Sequence, residues 1–208
     1  QWRSRHARGQ VIAVRYADDV ALGFQHEEEA RKYTTELGER LSRFGLMLHA
    51  DKTRLLQFGK QAEQQRKQRG ERKPETFHFL GFTHICGRDR RGRFALLRRT
   101  GGKRQRAKLR EVKKELLQRR HLPIPEQGEW LASVIRGHAA YYAVPNNGDR
   151  VYAFKCVAQR HWYRALQRRS QRSRLSWAKM QRLIRQCLPQ IRIMHPWPEE
   201  RFIRQHPR

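Results

Sequence analysis

Asp18 and Asp19 stand side by side in "VIAVRYADDVALGF", Val11 to Phe24, with an apolar run on each flank. Carboxylate oxygens are the ligands that Mg²⁺ prefers. In two-metal phosphoryl transfer the ions lie ~3.5–4 Å apart and stabilise the attacking and leaving oxygens. Two acids presented at one point are the beginning of such a site. The competing reading is an ordinary hairpin turn. Two-residue hairpin turns need positive φ and are usually solved with Asn-Gly or Asp-Gly. "ADD" contains no glycine, and adjacent like charges repel. Departures of this kind from turn chemistry concentrate at functional sites.

The elements that must carry the pair are short. Val11 to Tyr16 and Val20 to Phe24 read as two β-strands rich in Val, Ile, Tyr and Phe. A hairpin of these two would present both carboxylates beyond the sheet. "EEEARKYTTELGERLSRFG" follows as a helix, with Ala30, Tyr33, Leu37, Leu41 and Phe44 at helical spacing, Glu27 to Glu29 at its positive end and Gly45 at its exit. "TRLLQFG" and "FHFLGFTHI" read as two further strands. The charged "KQAEQQRKQRGERKPE" between them reads as an exposed loop or short helix. "GRDRRGRFALLRR" reads as a hairpin turn and a returning strand. From Lys103 onward the pattern is helical: a stripe at Leu109, Val112 and Leu116, a second from Trp130 to Tyr142, a third from Val151 to Ala165. A shorter fourth starts near Ser176, with Trp177, Met180, Leu183 and Ile184 inward and Pro189 closing it. The expected fold class is α+β, in two parts: 1–102 mixed, 103–208 all-α.

The chain has 208 residues and a formal net charge of +28. Residues 1–60 carry 11 Lys/Arg against 8 Asp/Glu, whereas 103–208 carry 25 against 7. Such an excess repels itself in the folded state, and a polyanion along the second half relieves it. Most of the cations are Arg, which bonds phosphate bidentately and stacks on bases, favouring nucleic acid over a membrane surface. No apolar run approaches the ~20 residues that span a bilayer, and no signal peptide pattern is present. Cys86, Cys156 and Cys187 match no zinc spacing and no disulfide framework, which points to a reducing cytoplasm. The chain starts at Gln1 with strand-like sequence close behind, so a fragment of a longer protein is expected.

Other residues carry two readings each. Lys52-Thr53 reads as a strand entry with a solvated lysine. Phe77 and Phe79 on one face, with Leu80 and Phe82 on the other, suit a strand buried on both sides. Gly81 allows another backbone to come close. Trp130, Val134 and Tyr141 read as helix packing, and His138 and His161 as satisfied core histidines. Arg136 is divided between a phosphate contact and a salt bridge. "RALQRRSQRSR", with Arg164, Arg168, Arg169, Arg172 and Arg174, contains no acid and follows an aromatic-rich helix, the electrostatic footprint of RNA binding.

With these residues in view, "RYADDVALG" resembles the Tyr-x-Asp-Asp signature of reverse transcriptases. "GLMLHADKTR" resembles the segment in which Gly-Leu-x-Leu leads into Lys-Thr, and "FHFLGF" the primer grip. "WLASVIRGHAAYYAVPNN" and "HWYRALQRRSQ" resemble the thumb and maturase region of group II intron reverse transcriptases, and "HPWPEERF" the close of bacterial maturases. The resemblance runs from about Gln10 to Phe202.

The resemblance implies roles. Asp18 is the principal ligand of two catalytic Mg²⁺ ions, with Asp19 beside it. Tyr16 and Ala17 lie near the primer end and the incoming deoxynucleoside triphosphate. Lys52 supports the palm, and Phe79, Leu80 and Gly81 grip the primer. Arg136, Tyr142 and the Arg run contact RNA. The partners implied are group II intron RNA, an RNA template and a DNA primer, in a bacterial cytoplasm. The family also carries a further catalytic Asp on an earlier palm strand, with fingers before it, and neither is in this sequence. The chain alone is therefore expected to be polymerase-inactive, and no His-Asn-His or paired-Cys nuclease region follows. Two alternatives stay open: a non-catalytic RNA-binding maturase module, or a decayed remnant. A basic ribosomal or chromatin protein is a more distant third, having no use for the "YADD" and "KTR" series.

Overall fold

The computed structural model describes residues 2–89, 91–169 and 175–197. Arg172, Arg174 and all of "PEERF" lie outside them. The class is α+β, as expected. The chain divides into two compact units, Gln1–Glu75 and Thr76–Arg208, which are taken in turn.

In the first unit a short helix α1 (Trp2–His6) leads into the antiparallel pair β1 (Val11–Tyr16) and β2 (Asp19–Phe24), then helix α2 (Glu27–Ser42) and helix α3 (Lys60–Gln68). The strands form where Val, Ile, Tyr and Phe are concentrated. The register pairs Val11 with Phe24 and Tyr16 with Asp19, leaving a two-residue turn at Ala17-Asp18. One face of the hairpin is closed by aromatic packing: Trp2 meets Tyr33 edge-on at 4.9 Å, and Phe24 meets Tyr33 at 5.5 Å. The Trp2 indole also donates to Glu36, and Arg8 N–H donates 2.8 Å to the buried Glu29 carboxylate. The other face is bare. Ile12, Val14 and Tyr16, two residues apart and so on one face, are 64, 47 and 66% exposed. "TRLLQFG" is not a strand: Thr53 to Phe58 run as irregular chain after a turn that closes on His49. It joins neither of the sheets among the described residues. Phe44, at the end of the expected α2 stripe, is exposed.

The second unit joins a three-stranded antiparallel sheet to four helices. Its strands are β3 (Phe77–Phe79), β4 (Phe82–Arg88) and β5 (Phe94–Thr100), in that order. "FHFLGFTHI" is therefore a tight hairpin, not one strand. Helices α4 (Gly102–Gln118), α5 (Ile124–Tyr142), α6 (Gly148–Gln167) and α7 (Trp177–Cys187) follow, with a turn of 3₁₀ helix at Arg119–His121. The expected stripes meet: Val112, Leu116, Leu131, Ile135, Phe154, Trp162 and Met180 make one core. Two buried amides organise it. Gln127 donates 2.9 Å to Leu122 O and accepts from the Trp162 indole at 3.2 Å, tying the α5 start to α6. Asn147 accepts from Thr100 N–H at 2.9 Å and donates 2.8 Å to both Thr100 Oγ1 and Tyr142 O, tying the end of β5 to the end of α5. Ser176 caps α7 by accepting from Lys179 N–H. Trp177 is exposed rather than inward, resting edge-on against Tyr163. None of the three cysteines forms a disulfide. Among the described residues no helix is long and apolar enough to cross a membrane.

The histidines depart from expectation. His138 Nε2, His161 Nδ1 and His84 Nδ1 are buried with no hydrogen-bond partner among the described residues. His138 instead stacks flat on Phe154, 3.7 Å between ring centres. Burial, then the Lys108 charge, pulls the pKa of His138 from 6.5 down to about 4. The unfolded chain therefore binds a proton that the folded chain refuses, and stability rises with pH. The loss begins as pH falls below 6.5 and is complete near 4. It amounts to about 1–2 kcal/mol once the solvent still reaching the ring is allowed for. His138→Phe, which keeps the stack and removes the titration, should flatten the fall of the melting temperature between pH 7.5 and 4.5. An unchanged fall would assign it elsewhere. Burial lowers His84 and His161 too, so the variant should keep a residual slope.

Candidate functional site

Two hairpin tips carry the residues singled out in the sequence, one in each unit. The first is the β1–β2 turn. Ala17 takes φ 52 while Asp18 does not have positive φ, the sign pattern of a type II′ turn, whose first position normally holds Gly. A left-handed non-Gly residue costs about 1–2 kcal/mol. Arg15 Nε donates 3.0 Å to Ala17 O and helps to hold the bend. Tyr16, Ala17, Asp18 and Asp19 are all exposed, so both carboxylates stand in solvent at the end of the hairpin. Lys52, also exposed, lies in the turn in which Lys52 and Thr53 N–H donate to His49 O.

The donor chemistry of the tip suits a hard divalent cation, but the donor count is short. Mg²⁺ demands near-octahedral oxygen coordination. Among the described residues no group of three or more His, Cys, Asp or Glu could hold a metal ion. Asp18 and Asp19 are thus part of a ligand set at most, and no chemical step can be assigned to them alone.

The second tip is the β3–β4 turn, Leu80-Gly81. Both residues are left-handed, at φ 48 and 77, as a type I′ turn requires. A bulky Leu there is strained, and neighbours hold it. Tyr141 Oη donates 2.8 Å to Leu80 O while its ring stacks on Phe82. Gly101 N–H donates 3.0 Å to Gly81 O. A Cβ on Gly81 would lie 2.9 Å from both Arg104 Nη1 and Tyr142 Oη, so at this φ a larger residue is strained and those side-chain ends must shift to admit it. The aromatic pair of "RGHAAYY" and the "FLG" turn are therefore one structure. Tyr141, read from the sequence as helix packing, is half exposed and is the residue that holds the turn. Its signal was available in the adjacent tyrosines, but the partner is 61 residues away in the chain.

The remaining singled-out cations among the described residues are surface groups. Arg136 is exposed and makes no ion pair with another described residue, and Arg164, Arg168 and Arg169 are exposed along and beyond the end of α6. The denser basic surface is α4, which the sequence reading passed over. It carries seven Lys/Arg against two Glu in 17 residues. Lys103, Arg104, Arg106, Lys108, Arg110, Lys113 and Lys114 are all exposed, while Val112 and Leu116 face the core. The signal was present in "KRQRAKLREVKK", where every apolar residue sits at core spacing.

Residues 1–84 match the family model described as reverse transcriptase (RNA-dependent DNA polymerase). The match supports that family for this part of the chain. It takes in the whole first unit and the β3–β4 turn, and so covers "YADD", "ADKT" and "FLG" together. It stops before the helices α4 to α7. No curated protein matches the chain.

Proposed function

We propose that the chain contributes half of a nucleotidyl-transfer centre to an RNA-directed DNA polymerase, and that its helical half binds group II intron RNA as a maturase. The observation that carries the first part is the placement of Asp18 and Asp19 at an exposed, strained hairpin tip inside the matched residues. On this reading residues 1–102 are palm and 103–208 thumb and maturase region. Asp18 is the principal ligand of two Mg²⁺ ions and Asp19 adjoins it. Tyr16 and Ala17 face the primer end and the deoxynucleotide, Lys52 supports the palm, and Phe79, Leu80 and Gly81 form the primer grip. Arg136, Tyr142, Arg164, Arg168 and Arg169 contact RNA, with Arg172 and Arg174 in the same run. The primer 3′-hydroxyl attacks the α-phosphate in line and pyrophosphate leaves. The missing donor, a further carboxylate, comes from another polypeptide segment, and the place of action is the bacterial cytoplasm.

The test is primer extension on an RNA template by this chain and by a joined chain in which a reverse-transcriptase fingers segment and first palm strand precede Gln1. The joined chain should extend and this chain alone should not. Extension by this chain alone would refute the need for another donor. Silence of both would leave the second reading, a non-catalytic RNA-binding module. That reading is favoured by the incomplete ligand set and by the seven cations of α4. Its mark is salt-dependent RNA binding in which Arg168→Gln lowers the salt slope by about one.

A further inference from the structure

Helix α5 ends without the glycine that commonly closes a helix in left-handed backbone. Its C-cap is Ala143, at φ −78 and ψ 60. The last carbonyls of a helix have no partner within it, so other groups must close the end of α5. The Asn147 amide donates 2.8 Å to Tyr142 O. Ala140 O and Ala143 O are closed from much further along the chain. His195, the first residue of "HPWPEERF", donates from Nε2 to Ala140 O at 2.7 Å, across 55 residues. Met194 N–H donates 2.9 Å to Ala143 O.

The same segment is seated by apolar contacts. Ile191 packs against Ala139, Ala143 and Val151. Ile193 lies over Gly148 at the start of α6, where an added Cβ would be 3.4 Å from its Cδ1. Ile191 to His195 thus form a strap across the end of α5 and the start of α6. What the strap holds is the last turn of α5, which carries Tyr141 and Tyr142. The deep contacts of α5 are earlier, at Leu131, Ala132 and Ile135. Past Ala139 the helix exposes Ala140 and half of Tyr141. Yet Tyr141 Oη donates to Leu80 O there, and Tyr142 Oη stands 2.9 Å from where a Cβ on Gly81 would be. The end of α5 must be rigid where its own packing is thin.

We propose that this strap positions the β3–β4 turn, and that His195 is the positioning residue. By capping Ala140 it fixes the two tyrosines, and the tyrosines fix Leu80 and Gly81. His195 itself touches neither primer nor nucleotide. The coupling to the turn stands by itself, whereas its effect on the primer rests on the primer-grip reading above. A cap that served stability alone would lower the folded fraction, and so the turnover, without changing the primer KM.

Amide hydrogen exchange on this chain and its His195→Ala and His195→Gln variants tests the coupling. In His195→Ala the amides of Tyr141, Tyr142 and Gly101 should exchange about fivefold faster, because loss of one hydrogen bond favours local opening. The Leu131 and Ile135 amides should keep their wild-type rates. Gln, with an Nε2 donor of its own, should restore protection. Primer extension by the joined chain tests the consequence. His195→Ala should raise the KM for primer–template about fivefold and leave kcat and the deoxynucleotide KM unchanged, the mark of lost binding rather than lost chemistry. His195→Gln should reverse the effect. Unchanged exchange at Tyr141 and Gly101 in His195→Ala would overturn the strap, whatever the joined chain does. Equal acceleration at Leu131 would make His195 a general stabiliser and overturn it too. Faster exchange confined to Tyr141, Tyr142 and Gly101, with an unchanged primer KM, would keep the strap and overturn the primer-grip reading. Silence of the joined wild-type chain would remove the polymerase reading and leave exchange to decide the strap.

Discussion

Asp18→Asn should reduce nucleotide incorporation by the joined chain about 10²–10⁴-fold. The change keeps the side-chain shape and removes one negative charge. Asp18 is exposed in the turn, and its carboxylate makes no hydrogen bond to another described residue, so the fold should not respond. On the proposed reading, what is lost is the oxygen anion that would fix a cation against the developing charge, worth several kcal/mol of transition-state stabilisation, at about 1.4 kcal/mol per tenfold. Asp19→Asn should have the same sign and a smaller effect, as Asp19 is committed to the first pair of the β2 ladder with Tyr16. Single-turnover incorporation, with a melting curve for each variant, separates this from misfolding. A loss below tenfold in Asp18→Asn with wild-type melting would make the pair an ordinary turn.

The second large effect concerns stability. Asn147→Leu should destabilise the second unit by about 3–5 kcal/mol. Asn147 is fully buried, and its amide makes three bonds, to Thr100 N–H, Thr100 Oγ1 and Tyr142 O. Leu fills the volume but leaves those groups buried without partners, at about 1–3 kcal/mol each. The strands and helices they join then lose their common anchor. The β3–β4 turn depends on the same anchor, because Tyr141 and Tyr142 end the helix whose carbonyl Asn147 binds. Its neighbour Asn146 has a different task, a left-handed φ of 67, which Asn tolerates well. Asn146→Ala should therefore cost only about 1 kcal/mol. Urea denaturation with an unchanged m-value measures both. Equal losses in the two variants would remove the special role of Asn147.

These two asparagines show where sequence reading stops. "PNN" reads as a loop, and nothing in its pattern says that one asparagine takes a left-handed turn and the next binds a strand end 47 residues earlier. Elements held by local periodicity were legible. The β1–β2 hairpin, α2 and the stripes of α4 to α7 follow from alternation or helical spacing that few other arrangements could bury. The β3–β4 hairpin was not legible, because Leu is a poor turn residue. It adopts φ 48 only with Tyr141, Gly101 and Arg104 around it, none of them neighbours in sequence. "TRLLQFG" failed for the opposite reason: it has strand composition but joins neither sheet among the described residues. The histidines were misread because burial was inferred correctly and satisfaction was assumed with it. At the candidate site, the acid pair was legible from its misfit to turn chemistry. The basic α4 was not, since it looked like a solvated face.

The most direct measurement is Mn²⁺ binding, followed by electron paramagnetic resonance, in the joined chain with primer, RNA template and deoxynucleotide. Mn²⁺ takes the same oxygen ligands as Mg²⁺, and the account predicts about two ions bound together. It predicts that both are lost in the Asp18→Asn, Asp19→Asn double variant while primer–template affinity is kept. Two ions retained in that variant would place the metals elsewhere and leave Asp18 and Asp19 as a turn.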